Sequence, residues 1–177
     1  MIHFSVITCT YNAAAELPKT LSSVYAQTYP KVEHLLLDGV SKDDTLALIK
    51  AYKERSDASE NGHTVIVKSE SDKGLYDAMN KGLLMATGQV VGILNSDDFF
   101  STPHSLEYIA QAFENPSVDA CYGNLYFVQP HALKVPVRHY TAGHFRRWMM
   151  RLGYAPPHPT FYCRKEIYEQ QPLFDLN

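Results

Sequence analysis

Three cysteines in 177 residues, Cys9, Cys121 and Cys163, stand apart without C-x-x-C spacing. They indicate neither a disulfide framework nor a zinc site and suit a reducing compartment. No segment approaches the roughly 20 apolar residues of a membrane span. The chain enters a strand pattern at once, Ile2-His3-Phe4-Ser5-Val6-Ile7, without the basic and apolar regions of a signal peptide. Positive charge is not in excess: 16 Lys and Arg stand against 19 Asp and Glu, a net charge of −3, so nothing suggests a nucleic-acid binder. Repeats and low-complexity tracts are missing too. So is glycine from the loop after the first strand pattern, Thr8-Cys9-Thr10-Tyr11-Asn12. Both the dinucleotide-binding GxGxxG and the Walker A loop need glycine there.

What remains is an ordinary globular composition, 45% hydrophobic and 20% charged, long enough for one domain with a real core. Strand and helix patterns alternate through the first 115 residues. Strands are expected at Phe4–Thr8, Val32–Leu37, Thr64–Lys68 and Val90–Leu94. Helices are expected at Leu17–Gln27, Thr45–Arg55, Tyr76–Ala86 and Pro103–Glu114, each with apolar residues on one face. Continuous apolar strands between helices predict an α/β fold, a mostly parallel sheet with helices on both faces. After Asn115 the pattern changes. Ala120–Tyr122 and Leu125–Val128, broken by Gly123-Asn124, read as a hairpin. Pro130, Pro136, Pro156, Pro157 and Pro159 then mark loops. This second half reads as a small mixed region built onto the sheet. Within it Phe145, Trp148, Met149 and Leu152 have helical spacing, with Arg146, Arg147 and Arg151 alongside. That segment reads as a stripe packed on the core, with a peripheral membrane contact as the other reading.

Chemistry concentrates at the strand ends. Val90-Val91-Gly92-Ile93-Leu94 runs into Asn95-Ser96-Asp97-Asp98. A buried strand thus delivers two adjacent carboxylates to its C-terminal edge, where ligands bind in open α/β sheets. Two such acids repel unless water, helix N–H groups or a cation neutralise them, and a divalent metal carrying phosphate is one favoured partner. The first loop offers hydroxyls, an amide and a ring suited to a nucleobase. Asp38 follows strand two with no evident structural task, whereas Asp43 and Asp44 suit capping of the next helix. Asp72 and Lys73 follow strand three. Asn80 lies inside a helix, where asparagine is a mediocre helix former, and is a candidate for a polar task. Four polar clusters along one edge make a site.

Phe4–Asn12, Asp38-Gly39-x-Ser41-x-Asp43-x-Thr45, Asp72-Lys73-Gly74-x-Tyr76-Asp77-Ala78-x-Asn80-Lys81-Gly82 and Asn95-Ser96-Asp97-Asp98 resemble family 2 glycosyltransferases of the GT-A fold. The flavour is that of bacterial enzymes building capsule, exopolysaccharide or O-antigen. The likeness covers about residues 4–100 closely, and His158-Pro159-Thr160-Phe161 to Phe174-Asp175 more loosely. It implies a single GT-A domain over residues 1–177, with a nucleotide-sugar half at 1–115 and the start of an acceptor half at 116–177. It also implies a nucleotide-diphosphate sugar donor, with UDP the commonest choice, held by Thr8, Thr10, Tyr11, Asn12, Asp38, Asp72, Lys73, Asn95 and Ser96. Mg²⁺ or Mn²⁺ would sit on Asp97, with Asp98 next; Asn95 occupies the first position of the DxD-type motif, where an amide is a weak metal ligand. The acceptor would be a glycan or a lipid-linked sugar, and the location the cytoplasm at the inner face of the membrane. The family's general base is expected beyond Asn177, as though the chain were shortened, and Asp175 and His158 are the weak candidates within it. A nucleotide-sugar-binding module without transfer is the first alternative. A phosphotransfer domain would need acids after strand one, and a sugar nucleotidyltransferase a glycine-rich, Arg-containing loop. Thr8-Cys9-Thr10 argues against both.

Overall fold

A computed structural model of the chain describes residues 1–129 and 132–176. Pro130, expected to mark a loop, lies outside the described residues. Strand β1 (Phe4–Thr10) is buried along its whole length and pairs in parallel with β2 (Val32–Asp38) on one side and β4 (Val90–Ile93) on the other. Strand β3 (His63–Ser69) pairs in parallel with β2 and closes that edge. Beyond β4 lie β8 (Tyr162–Arg164), antiparallel to β4, and β5 (Ala120–Cys121), antiparallel to β8. The order is β3-β2-β1-β4-β8-β5. Strands β1, β2 and β4 are buried at every position, as a sheet covered on both faces requires, and Ser5, Thr8, Glu33 and His34 are buried polar members of β1 and β2.

Side-chain alternation along β1 sorts the core into layers. Phe4 and Val6 pack with Val24 of α1 (Leu17–Tyr25) and Leu106 of α4 (Ser105–Ala112). On the same side Leu17 and Leu21 of α1 meet Ile49 and Tyr52 of α2 (Thr45–Asp57) over Leu36. Ile7 and Cys9 face the other way, onto Met79 and Leu83 of α3 (Leu75–Met85). A short helix α5 (Lys165–Glu169) follows β8. Glu33, 3% exposed in β2, accepts bonds from the Ser5 hydroxyl and from the N–H and hydroxyl of Thr87, tying the turn before β4 to the sheet. Gly92 in β4 is dictated by contact: a Cβ there would lie 2.1 Å from the ring of fully buried Tyr162.

Two expectations for the second half are corrected. The segments around 120–122 and 125–128 do not form a hairpin together. Instead β5 joins the main sheet through β8, while β6 (Leu125–Gln129) pairs antiparallel with β7 (Ala132–Tyr140) as a separate ribbon. The Gly-Asn pair marks the exit from one sheet to the other: Asn124 Oδ1 accepts from the N–H of Ala142, and Gly123 N–H donates to Thr160 Oγ1. The second correction concerns the stripe at 145–152. Arg147–Leu152 is a 3-10 turn, and Trp148, Met150 and Leu152 are 61%, 60% and 65% exposed, so the segment does not pack its apolar side chains into the core. Only Phe145, edge-on to Tyr122, and Met149 are half-buried. The side chain of Arg147 lies outside the described residues.

Candidate functional site: a crevice at the C-terminal edge of the sheet

Parallel strands β1, β2, β3 and β4 all end at one edge, so their following loops converge. The loops after β1, β2 and β3 meet closely. Gly39 N–H donates to the carbonyl of Thr10, and Glu70 N–H to that of Asp38. A Cβ on Gly39 would lie 2.7 Å from Asp72 Oδ2 and 3.4 Å from the Tyr11 ring. Tyr11, Gly39 and Asp72 therefore form one cradle: an exposed aromatic face, a bare backbone surface and a half-buried carboxylate. Asp72 Oδ1 accepts from the N–H of Gly74, which orients it. Its charge also reaches Cys9, whose thiol is pushed up to about 12, first by burial and then by Asp72, which disfavours the thiolate.

Asp38 has a structural task that the sequence does not announce. It is 2% exposed, and its oxygens accept from the Ser41 N–H and hydroxyl, the Ser69 hydroxyl and the Thr10 hydroxyl. With four protein donors, its work is to knit three loops together. These bonds hold Val40 at φ 61°, a left-handed conformation that β-branched residues rarely adopt and that costs about 1–3 kcal/mol. Asn12 does similar work: at φ 49° its side-chain oxygen accepts from Lys42 N–H and its own N–H donates to Ser41 Oγ. Asp43 accepts from the N–H groups of Thr45 and Ala14, tying the first loop to the start of α2, whereas Asp44, at the N-cap position, makes no side-chain capping bond, so the capping expected of these acids is not what they do. Thr8 is corrected. Strand β1 runs on to Thr10, so Thr8 is fully buried in mid-strand, its hydroxyl 3.1 Å from His34 Nε2. It does not reach the crevice.

The loop after β4 holds the acids. Asn95 Nδ2 donates to Asp98 Oδ2 at 2.9 Å, and Asp98 N–H donates to the carbonyl of Asn95 at 3.1 Å, closing a tight turn. The fully buried Thr20 hydroxyl of α1 lies 2.8 and 2.7 Å from the carbonyls of Ser96 and Asp98, pinning the loop from beneath. Asp97 is exposed. Burial raises the pKa of Asp98; the Asn95 bond opposes this, the Asp97 charge adds to it and His158 lowers it. His158 is thus brought into electrostatic reach of the acids from the turn before β8. Among the described residues no group of three His, Cys, Asp or Glu converges. The carboxylate oxygens at 97 and 98 are hard donors of the kind a divalent cation prefers.

Two cavities flank this loop. One of about 1010 Å³ runs from Asp97 and Asp98 past Phe99, Tyr122 and Tyr126 to Phe127. The other, about 460 Å³, is bounded by Tyr76, Met79, Asn95, His158, Phe174 and Asp175. Lys73 sits apart, exposed at the start of α3, its N–H donating to Asp77 Oδ2. Sequence reasoning passed over Thr20, Ser69 and the contact of Gly39 with Asp72. Gly39 and Ser41 lay within the quoted pattern, whereas nothing local marked Thr20.

Residues 5–169 match the family described as Glycosyl transferase family 2, and the chain belongs to that family. It is 36% identical over 123 residues to a PGL/p-HBAD biosynthesis glycosyltransferase of Mycobacterium bovis, a match covering 69% of this chain and 46% of the relative. To an uncharacterized glycosyltransferase of Mycobacterium tuberculosis it is 40% identical over 111 residues, or 62% and 38% of the two chains. The chain thus spans less than half the length of these curated relatives. Among solved structures, S. aureus TarS in complex with UDP-GlcNAc superposes with a TM-score of 0.74 at 22% identity, over 96% of this chain and 47% of that one. The mannosyltransferase PcManGT from Pyrobaculum calidifontis, in complex with GDP-Man and Mn²⁺, gives 0.74 at 20% identity, over 99% and 48%. These likenesses establish the GT-A glycosyltransferase fold. Among the described residues, no helix is long and apolar enough to cross a membrane.

Proposed function

We propose that this chain carries the donor-binding part of an inverting glycosyltransferase that uses a nucleotide-diphosphate sugar, with UDP as the base-bearing carrier. The observation that carries the reading is the cluster of Tyr11, Gly39 and Asp72 on the same sheet edge as the Asn95–Asp98 turn. An aromatic face and a carboxylate suit the stacking and imide hydrogen bond of uracil, while adjacent acids suit the diphosphate through a cation. TarS and PcManGT, in complex with UDP-GlcNAc and with GDP-Man and Mn²⁺, support a donor of this class.

Within this reading Asp38, Thr10 and Asn12 shape the base-binding loops from behind, and Tyr11 and Asp72 meet the base. Asp97, with Asp98 beside it, would hold Mn²⁺ or Mg²⁺, which when bound supplies positive charge against the departing diphosphate. Asn95 orients Asp98. Transfer by single displacement requires a carboxylate to take the acceptor hydroxyl's proton while its oxygen attacks the anomeric carbon and the bond to diphosphate breaks. We assign that base to no residue described here. The acceptor, a glycan or lipid-linked sugar of bacterial surface-polysaccharide assembly, approaches Asp97 and Asp98 from the larger, aromatic-lined cavity. Exposed Trp148, Met150 and Leu152 beside Arg146 and Arg151 would then rest on the inner face of the membrane. The 1–115 half holds the donor and 116–177 begins the acceptor side.

Calorimetry with UDP, GDP and dTDP tests the donor reading. Binding of UDP ahead of the others is expected, and no binding by any of the three would overturn it. Liposome flotation tests the membrane face: unchanged binding on replacing Trp148, Arg146 and Arg151 would refute it.

A further inference from the structure

Asn80 is 7% exposed, inside α3, where leucine or methionine would serve the packing better. Its amide makes a reciprocal pair of bonds with one distant partner. Asn80 Nδ2 donates to the carbonyl of Phe174 at 2.9 Å, and Phe174 N–H donates back to Asn80 Oδ1 at 2.9 Å, across 94 positions of sequence. A side chain thus imitates the pairing of a strand edge, and it fixes both position and direction of the main chain at Phe174. The Phe174 ring lies against that of Tyr76, centroids 5.6 Å apart. The next residue, Asp175, is thereby set on the wall of the smaller cavity, which Asn95 and His158 also line. Asn95 is the residue that holds Asp98, so this cavity is one side chain from the acid loop.

About 460 Å³ lies within the roughly 300–1,000 Å³ range of small-molecule sites, and the lining has the mixture they use. Tyr76, Met79 and Phe174 give apolar and aromatic surface for the C–H face of a sugar ring. Asn95, His158 and Asp175 add hydrogen-bonding groups to the lining, suited to hydroxyls. Resting on the donor reading above, we propose that this cavity receives the hexose of the nucleotide sugar, that Asp175 accepts hydrogen bonds from its hydroxyls, and that Asn80 is a positioning residue acting through Phe174. Asp175 is a sugar-reading residue in this account and not the general base.

Calorimetry of the chain in Mn²⁺ with UDP, UDP-glucose, UDP-galactose and UDP-N-acetylglucosamine tests this. Asn80→Ala should leave UDP affinity within about twofold, while the affinity of the preferred UDP-sugar falls about tenfold, the scale of one lost hydrogen bond to a charged group. Asp175→Asn, on the cavity wall and harmless to the Asn80 pairing, should do the same even if Asn80→Ala fails to fold. The double variant should lose no more than the stronger single one, because both act through one contact. Unchanged UDP-sugar affinity in Asp175→Asn overturns the proposal, whether or not transfer is lost; so do additive losses, or loss of UDP affinity itself in a folded Asn80→Ala. If the unsubstituted chain binds UDP but none of the sugars alters that affinity, the hexose site is refuted and the nucleotide reading stands. If it binds no nucleotide at all, the donor reading fails and takes this one with it.

Discussion

Replacing Gly39 by alanine probes the nucleotide cradle at its narrowest point. The new Cβ would sit 2.7 Å from Asp72 Oδ2 and 3.4 Å from the Tyr11 ring. Carbon–oxygen contact begins near 3.2 Å, so the carboxylate must retreat by roughly half an ångström, whereas the tyrosine contact is tolerable. Gly39 holds no left-handed conformation, since Gly62, Gly74 and Gly153 are the glycines with positive φ, so alanine adds no backbone strain. Asp72 is half-buried and held through its other oxygen by Gly74 N–H, leaving it room to swing outward. The fold should therefore lose less than about 1 kcal/mol, as surface changes do. A hydrogen bond from the base to a displaced carboxylate would be lost, worth about 1.5–3 kcal/mol, which is roughly a tenfold to hundredfold weakening of UDP. Thermal unfolding and UDP calorimetry on the same sample separate the two effects. Unchanged UDP affinity in a folded Gly39→Ala protein would refute the assignment of this cradle to the base.

Two further outcomes are expected. His34 is fully buried between Thr8 and Tyr52, and burial, with a smaller contribution from His63, lowers its pKa to about 3. The unfolded chain takes up a proton near pH 6.5 that the folded chain refuses, so stability is intact above that pH and falls below it by about 1.4 kcal/mol per pH unit. Denaturant unfolding from pH 6.5 to 5 should show a loss of about 2 kcal/mol, increased by His63, which burial shifts the same way, and opposed by Asp98, whose raised pKa works in the other sense. A flat profile would contradict the buried neutral histidine. Asn95→Asp exchanges an amide donor 2.9 Å from Asp98 Oδ2 for a like charge. Without metal the folded state should lose about 1–4 kcal/mol at neutral pH, and Mn²⁺ should raise the melting temperature of the variant more than that of the natural sequence. Equal metal-induced shifts in a thermal melt would refute the role of Asn95 as the neutral spacer of the acid loop.

The parallel half of the fold was legible because its signals are local. Val90–Leu94 is an uninterrupted apolar run, Leu17, Leu21 and Val24 share a helical face, and each parallel strand leads into a polar loop. The edge cluster followed from that regularity. What escaped were partnerships made across the chain. Asp38 looked idle although Ser41, three residues on, supplies two of its donors; the other two, Thr10 and Ser69, come from neighbouring strands brought alongside only by the parallel register. Thr8 looked available because nothing local shows that β1 runs two residues further. Asn80 was marked as a polar residue out of place in a helix, but its partner Phe174 lies 94 positions away. The second half was least legible: β5 and β8 are short, and Gly123-Asn124 carries the same turn chemistry whether it closes a hairpin or passes the chain between two sheets.

The central claim is that the Asn95–Asp98 turn holds the diphosphate end of a nucleotide sugar through a divalent cation on Asp97. Calorimetry of UDP with and without Mn²⁺, on the natural sequence and on Asp97→Ala, tests it most directly. The account predicts that Mn²⁺ tightens UDP and UDP tightens Mn²⁺ by the same factor, as linkage requires, and that Asp97→Ala removes this coupling while weaker, metal-independent UDP binding persists at the Tyr11–Asp72 cradle. Metal-dependent binding that survives Asp97→Ala intact would contradict it.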